Sequence, residues 1–183
     1  MRVSLIDRLA ARLPSGDVVP PADDRKRAAV AAILHDDRVL MMERAQREGD
    51  PWSGHISLPG GGYHPGDGGL LATAIRETRE ELGLELAGAR LLGRLNVLHP
   101  RTSGHGIEVT PFVFAVPSAP IVVVGPEAAS AFWLPLSIVI SGTLDGTYEY
   151  PTTAMKFPSW TYEGHVIWGL TWRILSDLIA LAG

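Results

Sequence analysis

Three glutamates, Glu77, Glu80 and Glu81, stand at i, i+3 and i+4 in the run Leu70–Leu84. Leu71, Ala74, Ile75, Thr78 and Leu82 recur there at helical spacing. At about 100° per residue the two sets form neighbouring stripes, so one face can bury while three carboxylates project together beside it. Like charges at this spacing repel by roughly a few tenths of a kcal/mol per pair. They also lie toward the helix C-terminus, where the dipole disfavours anions, and Gly83 is the expected stop. Arg79, and Arg76 four residues before Glu80, offset part of that cost. A hard divalent cation such as Mg²⁺ or Mn²⁺ offsets more, because clustered carboxylate oxygens suit it. The plainer alternative is a solvated charged face. Upstream, Gly60-Gly61-Gly62 and Gly66-Asp67-Gly68-Gly69 form a glycine-dense loop. It is either a flexible turn or a close backbone approach that brings Asp67 or carbonyl oxygens to a metal.

The elements that must position this helix are legible in outline. Leu5, Leu9 and Leu13 predict an N-terminal docking helix, and Pro14–Arg27 a connection. Ala28–Leu34 and Val39–Met42, around His35-Asp36-Asp37-Arg38, predict a hairpin. Short strands are expected at His55–Leu58, Arg90–Leu98, Ile107–Val116 and Ile121–Val124, with Pro111 suggesting an edge. Ala128–Ile140 is readable as helix or strand, and His165–Leu181 as a C-terminal helix. The pattern predicts a mixed sheet packed between helices. At 183 residues the chain is most simply one domain, with 1–27 as helix and connection and 28–183 as body.

Composition removes whole classes of function. With 46% hydrophobic and 20% charged residues, the chain should be globular. A formal charge of −4 argues against broad nucleic-acid or anionic-membrane binding. No cysteine is present, which excludes disulfides, thiolate metal sites and cysteine nucleophiles and fits a reducing cytoplasm. No apolar stretch reaches membrane-span length. Asp7, Arg2, Arg8 and Arg12 interrupt a secretory pattern at the N-terminus; an arginine-bearing start is also compatible with an organelle transit peptide, which Asp7 opposes.

The segment from Gly61 to Leu84 resembles the signature of the Nudix hydrolase family. Arg76-Glu77-Thr78-Arg79-Glu80-Glu81-Leu82-Gly83-Leu84 matches its second half, with Thr78 in place of an aliphatic residue. Five residues after Gly61 stands Asp67 rather than Glu, and eight residues rather than seven separate it from Arg76. Both departures resemble the subgroup related to coenzyme A pyrophosphatases. So do Val39–Ala45, Ser53–Gly61, Val109–Val113, Phe132–Leu136 and Ile167–Thr171. Where that subgroup carries a Leu-Arg pair, this chain has Gly49-Asp50-Pro51-Trp52.

The resemblance implies an α/β/α sandwich that hydrolyses the pyrophosphate of a nucleoside diphosphate linked to another group X. It implies metal held by Glu77, Glu80, Glu81 and the Gly61 carbonyl, with Arg76 orienting a ligand and Glu81 or Glu77 as general base. Coenzyme A or an acyl derivative is the expected substrate; ADP-ribose, a dinucleotide or an oxidised nucleoside triphosphate is the alternative. A non-catalytic nucleotide-binding module is a further rival, and a homodimer is compatible with the apolar strands. Arg44 after the upstream strand and Arg101 in the loop His99–His105 are candidates for substrate phosphate, with surface ion pairs as the alternative. Glu127 is a candidate base from outside the helix, or a surface acid at a helix start after Pro126. His55, His64, His99 and His105 lack paired metal spacing and read as structural. The five tryptophans read mostly as core, with Trp168 and Trp172 at i, i+4 on the last helix.

Overall fold

Two apolar runs, buried almost continuously, build the central hairpin. Strand β1 is Arg27–His35 and β2 is Arg38–Arg44, with Leu34 opposite Val39 and Asp36 turning the chain at φ 54°. The structure is a computed structural model that describes residues 4–100 and 106–183. Below the turn the hairpin opens. Strand β3 (Ile56–Ser57) pairs with β2 and β4 (Gly60–Gly62) pairs with β1, so Leu58-Pro59 wedges into the fork between them. Strands β5 (Arg90–Arg94), β6 (Glu108–Ala115) and β7 (Ala128–Pro135) complete a mixed sheet. In it β6 runs parallel to β1, and β7 runs antiparallel to β2.

Both sheet faces are covered, which is why β1 and β6 are apolar almost throughout. Ala29, Ala31, Ile33, Phe112 and Phe114 bury against helix α2 (Leu70–Leu82). Ala32, Leu34 and Val113 bury against helices α1 (Leu5–Arg12) and α4 (Gly169–Ala182). The expected α/β/α layering is present. Leu9 of α1 is fully buried. Arg8 Nε and Arg12 Nη1 donate to the carbonyls of Ala182 (2.5 Å) and Leu181 (2.6 Å), occupying oxygens that end helix α4. The connection after α1 also has a task. Asp17 accepts the Leu71 N–H at 2.8 Å and the Val18 carbonyl accepts that of Leu70, so it caps the start of α2 from outside the helix.

Several expected elements differ. Residues 121–124 form no strand: the Val123 and Gly125 N–H groups donate instead to the Leu82 and Glu81 carbonyls, closing the C-terminus of α2. Pro111 is not on an edge, because β6 lies between β1 and β5. Its carbonyl accepts from Leu95, so its nitrogen faces a stretch where the neighbouring chain has left the ladder after Arg94. The ambiguous run 128–140 divides into β7 and the short helix α3 (Leu136–Ile140). The C-terminal helix begins only at Gly169, at φ 62°; before it come β8 (Asp145–Glu149), β9 (Lys156–Tyr162) and β10 (His165–Trp168), a second antiparallel sheet without a distinct sequence signal. Trp168 therefore ends a strand rather than opening a helix. Among the described residues no helix is long and apolar enough to cross a membrane.

Candidate functional site

Helix α2 lies across the fork that holds β4, and this docking separates the three glutamates by depth. Glu81 is only 2% exposed, the Glu77 side chain 13% and that of Glu80 51%. The equal projection expected from spacing gives way to a gradient, because Glu81 turns under the sheet edge while Glu80 faces out. Glu81 Oε2 accepts the Gly60 N–H at 2.8 Å. Burial, against that hydrogen bond and with Glu77 adding repulsion, pushes the Glu81 carboxyl up to about 7. Burial also raises Glu77, with Arg76 pulling the other way.

The glycines are needed for contact here. A Cβ on Gly61 would stand 2.5 Å from Glu77 Oε1, so only glycine lets this carboxylate lie against the strand. The ladder sets which backbone groups face the acids. Gly61 stands opposite Ala29, between the bonds Tyr63 N–H to Arg27 and Ala31 N–H to Pro59, so its carbonyl points toward β1. Gly60 and Gly62 have the outward phase: the first meets Glu81, and the carbonyl of the second accepts from Arg76. The Gly61 carbonyl, expected as a further metal ligand, thus lies in the phase that faces β1.

Arg76 organises the cluster. Its Nε and Nη2 hold both oxygens of Asp67 at 2.8 and 3.0 Å, and Nη1 reaches Glu77 at 2.9 Å and Glu80 at 3.1 Å. Asp67 also accepts from the Thr73 hydroxyl and the His64 N–H. Arg76 first, despite some burial, holds Asp67 well below the usual carboxylate range. Asp67 is thus the anchor of Arg76 rather than a group turned toward a metal. Among the described residues no three carboxylate or imidazole side chains stand together as a metal cluster, and Arg76 engages both Glu77 and Glu80.

Arg44 ends β2 beside the cleft. Its Nη2 donates to Asp50 Oδ2 at 2.8 Å, its Nε is buried without a partner, and its charge lowers the pKa of Glu81. Burial pulls Asp50 upward, but Arg44 and the Trp52 N–H outweigh it and leave its pKa lowered. Glu127 is in a turn before a strand, not at a helix start, and pairs with Arg47 at 3.3 Å. It is near enough to raise Glu77 and Glu81. His55 packs edge-on against Trp52 and Trp168, and burial above all lowers its pKa. His64 is exposed at the turn before Asp67, and His99 lines the cleft. Arg101 and His105 lie outside the described residues. Sequence reasoning passed over Asp50, although its place in the departing tetrad was the available signal; nothing in sequence signalled Asp17 as a helix cap.

The NUDIX domain family model matches residues 25–151, from the start of the sheet to just beyond β8. The chain belongs to the Nudix family. It is 30% identical to a protein named as uncharacterized Nudix hydrolase NudL from Yersinia pestis (strain Pestoides F), over 94% of this chain and 90% of that one. The NudL of Yersinia pseudotuberculosis serotype O:1b (strain IP 31758) gives the same figures. Among solved structures, a bifunctional NMN adenylyltransferase/ADP ribose pyrophosphatase from Francisella tularensis, complexed with AMP and a Mn ion, superposes with TM-score 0.58 at 21% identity. That match covers 90% of this chain and 44% of that one. A C. elegans Ap4A hydrolase gives 0.52 at 20% identity, over 63% and 83%. These structures share the Nudix fold, and the curated relatives make this chain a Nudix hydrolase.

Proposed function

We propose that this Nudix hydrolase splits the pyrophosphate of a nucleoside diphosphate linked to a group X, with coenzyme A or an acyl derivative as X-bearing substrate. The products are then 3′,5′-ADP and a 4′-phosphopantetheine species. One observation carries the reading: Glu77 and Glu81 are desolvated side by side against glycine backbone, an arrangement whose charge favours a cation. Carboxylate and carbonyl oxygens suit Mg²⁺ or Mn²⁺. Glu77, Glu80 and Glu81 are the residues to hold the metal, with backbone oxygen from Gly60 rather than Gly61. When bound, the metal neutralises phosphate oxygens and acidifies water.

The chain's own groups do the rest. Arg76, fixed by Asp67, orients Glu77 and Glu80. Arg44 presents its free Nε to a phosphate oxygen. The proton of the attacking water passes to a carboxylate of the cluster, Glu81 or Glu77, with Glu127 the candidate outside the helix. A second reading, ADP-ribose, a dinucleotide or an oxidised nucleoside triphosphate as substrate, is favoured by Asp50 standing where the subgroup has its Leu-Arg pair. A binding-only module has no need of the repulsive glutamate set.

The test is metal-dependent phosphate-ester production across a nucleotide panel. Glu81→Gln should lower turnover by about 10²-fold or more, as loss of a group acting in the transition state does. Unchanged turnover would remove the catalytic assignment, and turnover confined to ADP-ribose or dinucleotides would select the second reading.

A further inference from the structure

Beyond Arg44 the cleft changes character. A cavity of about 650 Å³ extends from this guanidinium toward the start of α4. Val97, Leu98, Ile107, Phe157, Trp168 and Leu170 are among the side chains that form its walls. His55, His99, Thr171 and Arg173 also line it, but most of the lining surface is carbon, so most polar groups of a purine or a sugar would face carbon at a desolvation cost. A hydrocarbon chain would lose only its contact with water.

The polar end is different. Arg44 and Ser57 both line this end, and Arg44 Nε and Ser57 Oγ are buried and unpartnered. Nε and Nη2 share one edge of the guanidinium, the fork that takes two oxygens of a phosphate. Asp50 occupies half of that fork, through Nη2.

We propose that the cavity receives an alkyl- or acyl-bearing group X, its adjoining phosphate on Arg44 Nε, with Asp50 setting how tightly Arg44 holds that phosphate. The inference rests on the pyrophosphatase reading and deepens it: X is amphiphilic, not a sugar or a second nucleoside. Asp50 is a specificity residue acting through Arg44.

The probe is n-octyl phosphate, added to the metal-free protein and compared with inorganic phosphate and AMP. Trp52, Trp168 and Trp172 line the cavity and report occupancy by their emission. Octyl phosphate should bind about tenfold or more tightly than either comparator. Val97→Asp, at a position 39% exposed and so tolerant of charge in the fold, should erase that advantage. Phe157→Ala should weaken octyl phosphate alone. Asp50→Asn should tighten octyl phosphate and phosphate alike by roughly three- to tenfold. Equal binding of the three probes, or no effect of Asp50→Asn, overturns the inference. Nucleotide turnover with no octyl preference leaves the hydrolase reading standing and removes this one. Octyl phosphate binding with no metal-dependent turnover of any nucleotide does the reverse.

Discussion

Glu81 occupies a position that costs the metal-free fold stability. A carboxylate 2% exposed costs free energy that its single Gly60 hydrogen bond only partly returns. Glu81→Gln keeps an oxygen for that N–H and removes the charge. The metal-free protein should therefore melt higher by about 1–2 kcal/mol of stability while turnover collapses, which thermal melts and a phosphate-release assay measure together. Gly61→Ala should act in the opposite sense on the site. The added methyl meets the flexible end of Glu77, not backbone, so the fold shifts by less than about 1 kcal/mol. The displaced carboxylate should weaken metal affinity, read by titration calorimetry with Mn²⁺. Neither consequence was visible in the sequence, where the three glutamates are equivalent by spacing and differ only through what lies above each.

At the scale of the element, α2 is held from both ends by segments that look like linkers. Asp17 caps its first turn, and 122–125 closes its last. Asp17→Ala should cost about 1 kcal/mol and lower hydrogen-exchange protection at Leu70 and Leu71 before other helices respond. The Asp67–Arg76 pair gives a pH signature. The native pKa of Asp67 is depressed, so its stabilisation is complete above the ordinary carboxylate range near 4 and is lost as pH falls through the native value. Asp67→Asn should reduce stability at pH 7 by roughly 1–3 kcal/mol and flatten the acid limb of a denaturation-versus-pH profile. The repeat of Leu5, Leu9 and Leu13 made α1 legible, and the turn tetrad made the β1–β2 hairpin legible. Strands β8 to β10 were not, because much of this small sheet is solvent-facing and lacks the apolar runs that mark the central one.

For the whole molecule, the N-terminal helix is part of the fold that carries the site. Leu9 is fully buried in the α1–α4 layer, and Arg8 and Arg12 close the end of α4. Leu9→Ala should destabilise by about 2–5 kcal/mol in urea melts, with the metal-binding constant of the folded fraction unchanged, since α2 packs on the opposite sheet face.

The sequence alone determined the chemistry available: a helix with three carboxylates and an arginine, a glycine-rich approach to it, and a mixed sheet with helices on both faces. Local spacing suffices for that, because helix periodicity and strand alternation are short-range geometry. Tertiary structure decided which glutamate is desolvated, which glycine faces the acids, that Asp67 anchors Arg76, and that an apolar cavity opens beside Arg44. Each of these depends on how distant segments dock, and solvation and ladder phase are set only once that docking is complete.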